Sequence, residues 1–435
     1  MKPQKFILIP LVILCLARLP QLQALSPAPD GCYPGFTTAE GCNALNFLTT
    51  GAGNTGIGWY SLYANTTGNF NTGVGGGALA LNNADSNTAV GAAALLLNTA
   101  GTENTATGTD ALVHNDTGSE NTANGAFVLF SNTTGSRNTA IGRGALSTNT
   151  TSSENTAVGY AALAFNTGSA NTATGDDALL SNTTGGGNTA NGRGALQLNT
   201  TGANNTANGL DALENNTTGS GNTAIGLGTL VSNTTGNNNI GLGPNAGSNV
   251  TTANNVICIG NVAGVNVNDT CFIANIFGAT ASGGSAVFIN SNGQLGTLTS
   301  SRRFKEEIKP MEEASEALFS LKPVSFRYKK AIDPAGISQF GLVAEQVEKV
   351  NPELVVRDKE GKAYSVRYDQ VNAMLLNEFL KEHKKVEQLQ ATVAQQDKRF
   401  DQQEERIATL AAGLQKVSAQ LRVSRLAPQV AINDQ

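Results

Sequence analysis

Between residues 54 and 230 the apolar positions of this chain fall on a fixed beat. The segment Asn-Thr-(Ala/Gly)-x-Gly begins at Asn54, Asn71, Asn87, Asn104, Asn121, Asn138, Asn155, Asn171, Asn188, Asn205 and Asn222, in steps of 17 or 16 residues. The third position is Ala or Gly, the fifth is Gly from Gly58 to Gly226, and the ninth is always Leu, from Leu62 to Leu230. Units are separated by turns such as Asn132-Thr133-Thr134-Gly135, and a weaker copy, Asn-Ile-Gly-Leu-Gly, follows at Asn239. A helical repeat of this size would need several apolar residues per unit and would avoid a glycine in each. One leucine, a few small residues and a turn cannot bury a face alone. Stacked on copies of itself, such a unit forms a β-solenoid with a leucine ladder inside. The glycines suit corners where φ is positive. Stacked asparagines suit hydrogen bonding from coil to coil. About a dozen coils at roughly 4.8 Å each give a rod of ~60 Å. One leucine per coil is a thin core, so the pattern favours several chains sharing an axis and pooling their leucines.

Beyond Ser300 the beat changes. From Leu375 the core positions Leu375, Phe379, Glu382, Val386, Leu389, Val393, Gln396, Phe400, Gln403, Ile407, Leu410, Leu414, Val417 and Leu421 alternate steps of 4 and 3. That is the spacing of a left-handed coiled coil. Gln396 and Gln403 at core positions favour a defined register at a cost in stability, and three strands would match a shared-axis rod. Between rod and heptads the pattern predicts a strand and turn at Val287 to Gly293, a short helix from Met311 with Ala314, Leu318 and Leu321 on one face, and a strand over Pro323 to Lys329. At the other end, Lys2 and Lys5 precede an apolar run from Phe6 to Ala17, and Leu22-Gln23-Ala24 offers a cleavage site. This reads as a secretory signal, too short for a transmembrane helix. The chain thus divides into a signal peptide (1–24), an N-terminal cap (25–53), solenoid repeats (54–262), a transition to the fibre end (263–299), a small mixed domain (300–372), a coiled coil (373–422) and a disordered tail (423–435).

Composition sharpens this picture. Charged residues are 14% of the chain, aromatics 6%, and the net charge is -5. Low charge with regular apolar positions points to a repetitive fold rather than disorder. Nothing in this balance calls for a nucleic-acid partner. No lysine occurs between Lys5 and Lys305, whereas the C-terminal third is dense in Lys, Arg, Glu and Gln. Export permits disulfides. Cys32, Cys42, Cys258 and Cys271 remain after removal of the signal. Of the three connectivities open to four cysteines, Cys32–Cys42 and Cys258–Cys271 is the expected one, with free thiols as the alternative. Their spacing is not that of a zinc site, and no metal or cofactor is expected. The Asn-x-Thr triplets match glycosylation sequons, but the repeat itself accounts for them.

Candidate chemistry sits at the change of pattern, Thr299-Ser300-Ser301-Arg302-Arg303-Phe304-Lys305, which places a hydroxyl five residues before a lysine. A serine hydroxyl becomes a nucleophile only when a base takes its proton. The two histidines of the chain, His114 and His383, are far from this seam in sequence, so a Ser-His-Asp triad is not expected. Lysine serves as base when burial or neighbouring cations favour its neutral form, and Arg302 and Arg303 are such cations. Attack of Ser300 Oγ on the Thr299 carbonyl would give an ester that water hydrolyses. With the chain's own backbone as substrate, one turnover suffices.

The segments Ser300 to Pro310, the helix after Met311, Pro323-Val324-Ser325-Phe326-Arg327-Tyr328-Lys329, Gly341-Leu342-Val343-Ala344-Glu345-Gln346-Val347, Asn351-Pro352-Glu353-Leu354-Val355 and Val366-Arg367-Tyr368-Asp369 occur in this order. Together, over roughly residues 298 to 395, they resemble the C-terminal intramolecular chaperone of phage endosialidase tailspikes, the auto-cleaving serine peptidase family seventy-four. The resemblance implies a domain that helps a fibre trimerise and then cuts itself off with a Ser/Lys dyad. Aligned on Arg-(Phe/Leu)-Lys, the family serine falls on Ser300 and the lysine on Lys305, with cleavage between Thr299 and Ser300. The family often has Asp after the serine, where this chain has Ser301, the alternative hydroxyl. The repeat, over about residues 54 to 262, resembles the left-handed β-roll heads of trimeric autotransporter adhesins.

The expectation is therefore a mainly β solenoid or β-roll of about 17-residue coils, then a small α+β chaperone domain and a trimeric coiled coil. The protein would be a secreted or cell-surface homotrimeric fibre of adhesin type. It would have a cell-surface or glycan ligand on the repeat, no transmembrane anchor in the mature chain, no cofactor, and a single-turnover self-cleaving serine peptidase without activity in trans. The alternative is a non-cleaving structural protein whose C-terminal domain only trimerises. An enzyme in the repeat itself is disfavoured, because it has no convergent cluster of acids, histidine or aromatics.

Overall fold

The computed structural model describes residues 35–424. The signal segment, Cys32 and the last residues of the tail lie outside the described residues. The chain forms two compact units, divided between Thr280 and Ala281.

In the first unit each Asn-Thr-Ala-x-Gly segment supplies one three-residue strand. With four more that lack the full motif, fifteen strands, from β1 (Thr38–Glu40) to β15 (Cys271–Ile273), pair in sequence order into one sheet. Pairing is parallel and in register, as in Thr105↔Thr122, Ala106↔Ala123 and Thr107↔Asn124. Because strand side chains alternate between faces, the central Ala or Gly points inward and its two neighbours point out. This is the expected solenoid, with boundaries wider than 54–262. It begins within the segment expected as a cap, where Leu45 joins the core, and runs on to Phe272. The end coils were hidden because Thr38-Ala39-Glu40-Gly41 lacks the leading Asn and Cys271-Phe272-Ile273 lacks both Asn and Gly.

The core overturns one expectation. The leucines from Leu62 to Leu230 are each 0% exposed within a single chain. They pack on a line of alanines from the strands (Ala106, Ala123, Ala140) and another from the turns (Ala111, Ala145, Ala162). Two buried asparagines per coil complete the filling, such as Asn104 and Asn115. No common interior between chains is needed to shelter the leucines, since small inward side chains let the coil close tightly over its own leucine.

The asparagines form two internal ladders. In one, the backbone N–H of Asn121 donates to Asn104 Oδ1 at 3.0 Å, while Asn121 Nδ2 donates to the Gly135 carbonyl at 2.9 Å. In the other, Asn115 Nδ2 donates to Asn98 Oδ1 at 2.7 Å and to the Gly118 carbonyl at 2.8 Å. Buried amides satisfied in this way cost little. At the corner, Gly142 has φ 119°, and a Cβ there would lie 2.3 Å from the Gly159 carbonyl oxygen of the next coil. Less expected, the ninth-position leucines are also left-handed, with Leu129 at φ 49° and Leu146 at φ 52°. An L-residue pays about 1–2 kcal/mol for that. Burying a leucine returns about 1.5–3 kcal/mol.

The expected Cys258–Cys271 disulfide is absent, and both thiols are free. The two residues lie on neighbouring strands, β14 (Ile257–Ile259) and β15, but Cys258 registers with Phe272, and Cys271 with Ile257. Cys258 therefore points into the core while Cys271 is exposed on the other face, and opposed Cβ directions do not permit a bond. Burial pushes the Cys258 thiol pKa up. Cys42 is exposed and free.

The second unit opens with a hairpin, Phe288–Ile289 paired antiparallel with Leu295–Gly296. A 3₁₀ helix (Glu312–Ser320) follows, then strand Val324–Phe326 paired with Gln339–Gly341, helix α1 (Ala344–Val350) and strand Val355–Arg357 paired with Ala363–Val366. Helix α2 (Tyr368–Ser424) is a single continuous rod of 57 residues. The core is small: Val347, Leu354, Val355, Val366 and Met374, with Met311, Ala317, Leu318 and Leu321 against it. Leu318 and Leu321 face inward as expected, but Ala314 is exposed and Ser315 is buried. The segment winds at three residues per turn rather than 3.6, which aligns Ser315 with Leu318 and Leu321.

Candidate functional site

The seam lies in the second unit. Ser300 and Ser301 lead into one 3₁₀ turn, Arg302–Phe304, closed by Phe304 N–H to the Ser301 carbonyl at 3.0 Å and Lys305 N–H to the Arg302 carbonyl at 3.1 Å. The turn reverses the chain enough to bring residue 305 back over residue 300, and Lys305 Nζ donates to Ser300 Oγ at 3.2 Å. Ser301 makes no hydrogen bond through its side chain at the start of the turn. No carboxylate pairs with Lys305 among the described residues. The Arg303 guanidinium stacks over the Phe304 ring at 4.6 Å, so that cation is committed to its neighbour. Thr299, Ser300 and Lys305 are exposed.

A hydroxyl and an amine at this distance can exchange a proton. In the observed contact the ammonium donates, so Nζ must first lose a proton before it can act as a base. Withdrawal of such a pair from water favours that loss.

The other quoted segments meet around the small core. The Leu342 N–H donates to Tyr368 Oη at 2.9 Å, which ties the Gly341-Leu342 segment to the start of α2. Arg357 pairs with Glu348 at 2.6 Å. A further cluster escaped the reading of the sequence. Ser315 Oγ donates to Glu378 Oε1. Asn377 Nδ2 donates to Ser315 Oγ at 2.7 Å, and Lys381 Nζ donates to Glu378 at 2.7 Å. Its trace in the sequence is a second stripe on α2, Met374, Glu378 and Lys381, set beside the heptad positions at helical spacing. Among the described residues no helix is long and apolar enough to cross a membrane, and no group of His, Cys, Asp and Glu is placed to hold a metal.

No curated protein and no solved structure gives a significant match to the chain. The family model described as chaperone of endosialidase matches residues 300–356. The match opens on the serine that Lys305 touches and closes in the strand after the Asn351–Leu354 turn, so the segment behind the β-solenoid is similar to the chaperone-of-endosialidase family over residues 300–356.

Proposed function

We propose that this protein is an exported fibre whose C-terminal domain gathers three copies and then severs itself at the Thr299–Ser300 bond. The observation that carries the reading is the Lys305 Nζ–Ser300 Oγ contact of 3.2 Å at the first residue of the family match. Ser300 Oγ attacks the Thr299 carbonyl carbon while the neutral Lys305 amine takes the hydroxyl proton. The C–N bond breaks, and the Ser300 nitrogen leaves as an amine with the proton that Nζ returns. Water then hydrolyses the Thr299–Oγ ester, giving a Thr299 carboxylate and a free Ser300 hydroxyl. Each chain does this once.

Assembly is supported by what the single domain leaves uncovered. Phe340 is 86% exposed, and the heptad residues Leu375, Phe379, Leu389 and Leu414 are all exposed on α2. A domain of this size with so much apolar surface fits a partner of its own kind, and α2 fits a three-stranded coiled coil. Packing three copies would also remove water from the seam, which makes cutting wait for assembly. The apolar run from Phe6 to Ala17 supports export, and the released rod would present a surface for a cell-surface or glycan ligand.

The test is the mass of the full chain after assembly. The expected result is two fragments, the second beginning with Ser300, and one uncut chain for Ser300→Ala or Lys305→Ala. Identical fragments from both variants and the parent would remove the dyad, and an uncut parent would leave a structural fibre.

A further inference from the structure

The heptad positions of α2 point away from the rest of its unit, yet one stretch of the same helix is held against the 3₁₀ helix Glu312–Ser320 by polar groups. Ser315 is 0% exposed and Glu378 is 7% exposed. Their contact is backed by Asn377 Nδ2, which reaches the Ser315 hydroxyl at 2.7 Å and the Glu312 carbonyl at 3.1 Å. Lys381 Nζ sits at 2.7 Å from Glu378 Oε1, 3.5 Å from Ser315 Oγ and 4.0 Å from Glu316 Oε1. A polar group buried at such a junction is costly unless every partner is in place. We propose that Ser315, Asn377, Glu378 and Lys381 form a carboxylate-dependent clamp, which fixes the face that α2 turns to its own domain, leaves the heptad face outward, and lets go on acidification.

The chemistry gives the clamp a direction in pH. Ser315 Oγ accepts from Asn377, and its single proton goes to the Glu378 carboxylate, which is much nearer than the Glu312 carbonyl at 3.3 Å. The ionised carboxyl accepts from the hydroxyl and from the ammonium; once protonated it loses the ion pair and adds a donor where two donors already point. The charged groups around Glu378 are Lys381 and Lys385 on its own helix and Glu316 on the 3₁₀ helix. Hydrogen bonds from Lys381 and then Ser315 hold its carboxyl below the ordinary glutamate range, against a smaller opposing effect of burial. A carboxyl lowered on folding contributes stability that is complete above its unfolded value, about 4.3 for glutamate, and lost as pH falls through the folded value. The clamp is therefore closed at neutral pH and opens only in acid.

This inference rests on the assembly reading for its consequence but not for its test. Hydrogen exchange of the full chain, corrected for intrinsic rates, reads the protection of residues 312–321 from neutral to acidic pH, with sedimentation of the same samples. The expected result is strong protection at neutral pH that falls several-fold in acid. Glu378→Gln should show reduced protection with no acid transition. Asn377→Ala should lower protection at neutral pH but keep a further fall in acid, since the carboxylate and its contacts with Ser315 and Lys381 remain. A transition that persists in Glu378→Gln, or none in the parent chain, overturns the clamp. A parent chain that shows the transition yet sediments as a monomer supports the clamp and removes the trimer instead.

Discussion

Leucine and glycine share the work of turning the chain at each coil, and they tolerate it for different reasons. Gly142, at φ 119°, has no Cβ to strike the Gly159 carbonyl 2.3 Å from where one would stand. Leu129, at φ 49°, accepts a strained backbone because its side chain is wholly buried. The two positions should therefore fail differently. Leu129→Ala keeps the strain and loses the burial, with an expected cost of about 2–5 kcal/mol in chemical unfolding. Gly142→Ala gains no burial and adds both a clash and a disfavoured φ, costing at least about 1–3 kcal/mol. If either substitution left the unfolding midpoint unchanged, the residue would not be a determinant of the coil.

An element here is one coil, and its neighbours supply much of its hydrogen bonding. Asn138 accepts from the Asn155 backbone N–H at 3.1 Å, and its amide nitrogen donates to Asn121 Oδ1 at 3.1 Å and to the Ser152 carbonyl at 3.0 Å. Asn138→Ala would strand the buried Asn155 backbone N–H of the next coil, while Asn121 Oδ1 keeps the backbone N–H of residue 138 and the Ser152 carbonyl keeps Asn149 Nδ2. The expected loss is about 1–3 kcal/mol for the unsatisfied group. Because stability in a stacked array is a sum of nearest-neighbour terms, the exchange of backbone amides should rise first in the coils around residue 138. Uniform loosening along the rod would contradict this. The clamp on α2 is the same physics in a different element, with a titratable acceptor in place of an amide, so it depends on pH where the ladder does not.

At the scale of the molecule, the two units differ in self-sufficiency. The solenoid hides its leucines within one chain, whereas the C-terminal unit buries Val347, Leu354, Val355, Val366 and Met374 and leaves a helix of 57 residues with its apolar positions exposed. If assembly runs through α2, Leu389→Asp should shift the sedimentation of the chain toward monomer and slow the appearance of the Ser300 fragment at fixed concentration. The circular dichroism of the solenoid should not change. An unchanged cleavage rate in a monomeric variant would mean that the seam needs no partner.

The sequence by itself determined the period of the coil, the inward strand residue, the corner glycines and the leucine ladder, because each repeats often enough for its physical demand to be read from spacing alone. It also placed Ser300 and Lys305 five residues apart, a distance that a single turn closes. Spacing could not say that one chain would close over its own leucine, since that depends on how tightly small side chains stack between coils. Nor could it tell that Cys258 and Cys271 would face opposite ways, as a slip of one residue in strand register reverses a side chain. The buried partnership of Ser315 with Glu378 joins residues 63 apart and follows from a 3₁₀ rather than an α winding. Only the packed structure decides between those windings, because their energies differ by less than the contacts each one makes.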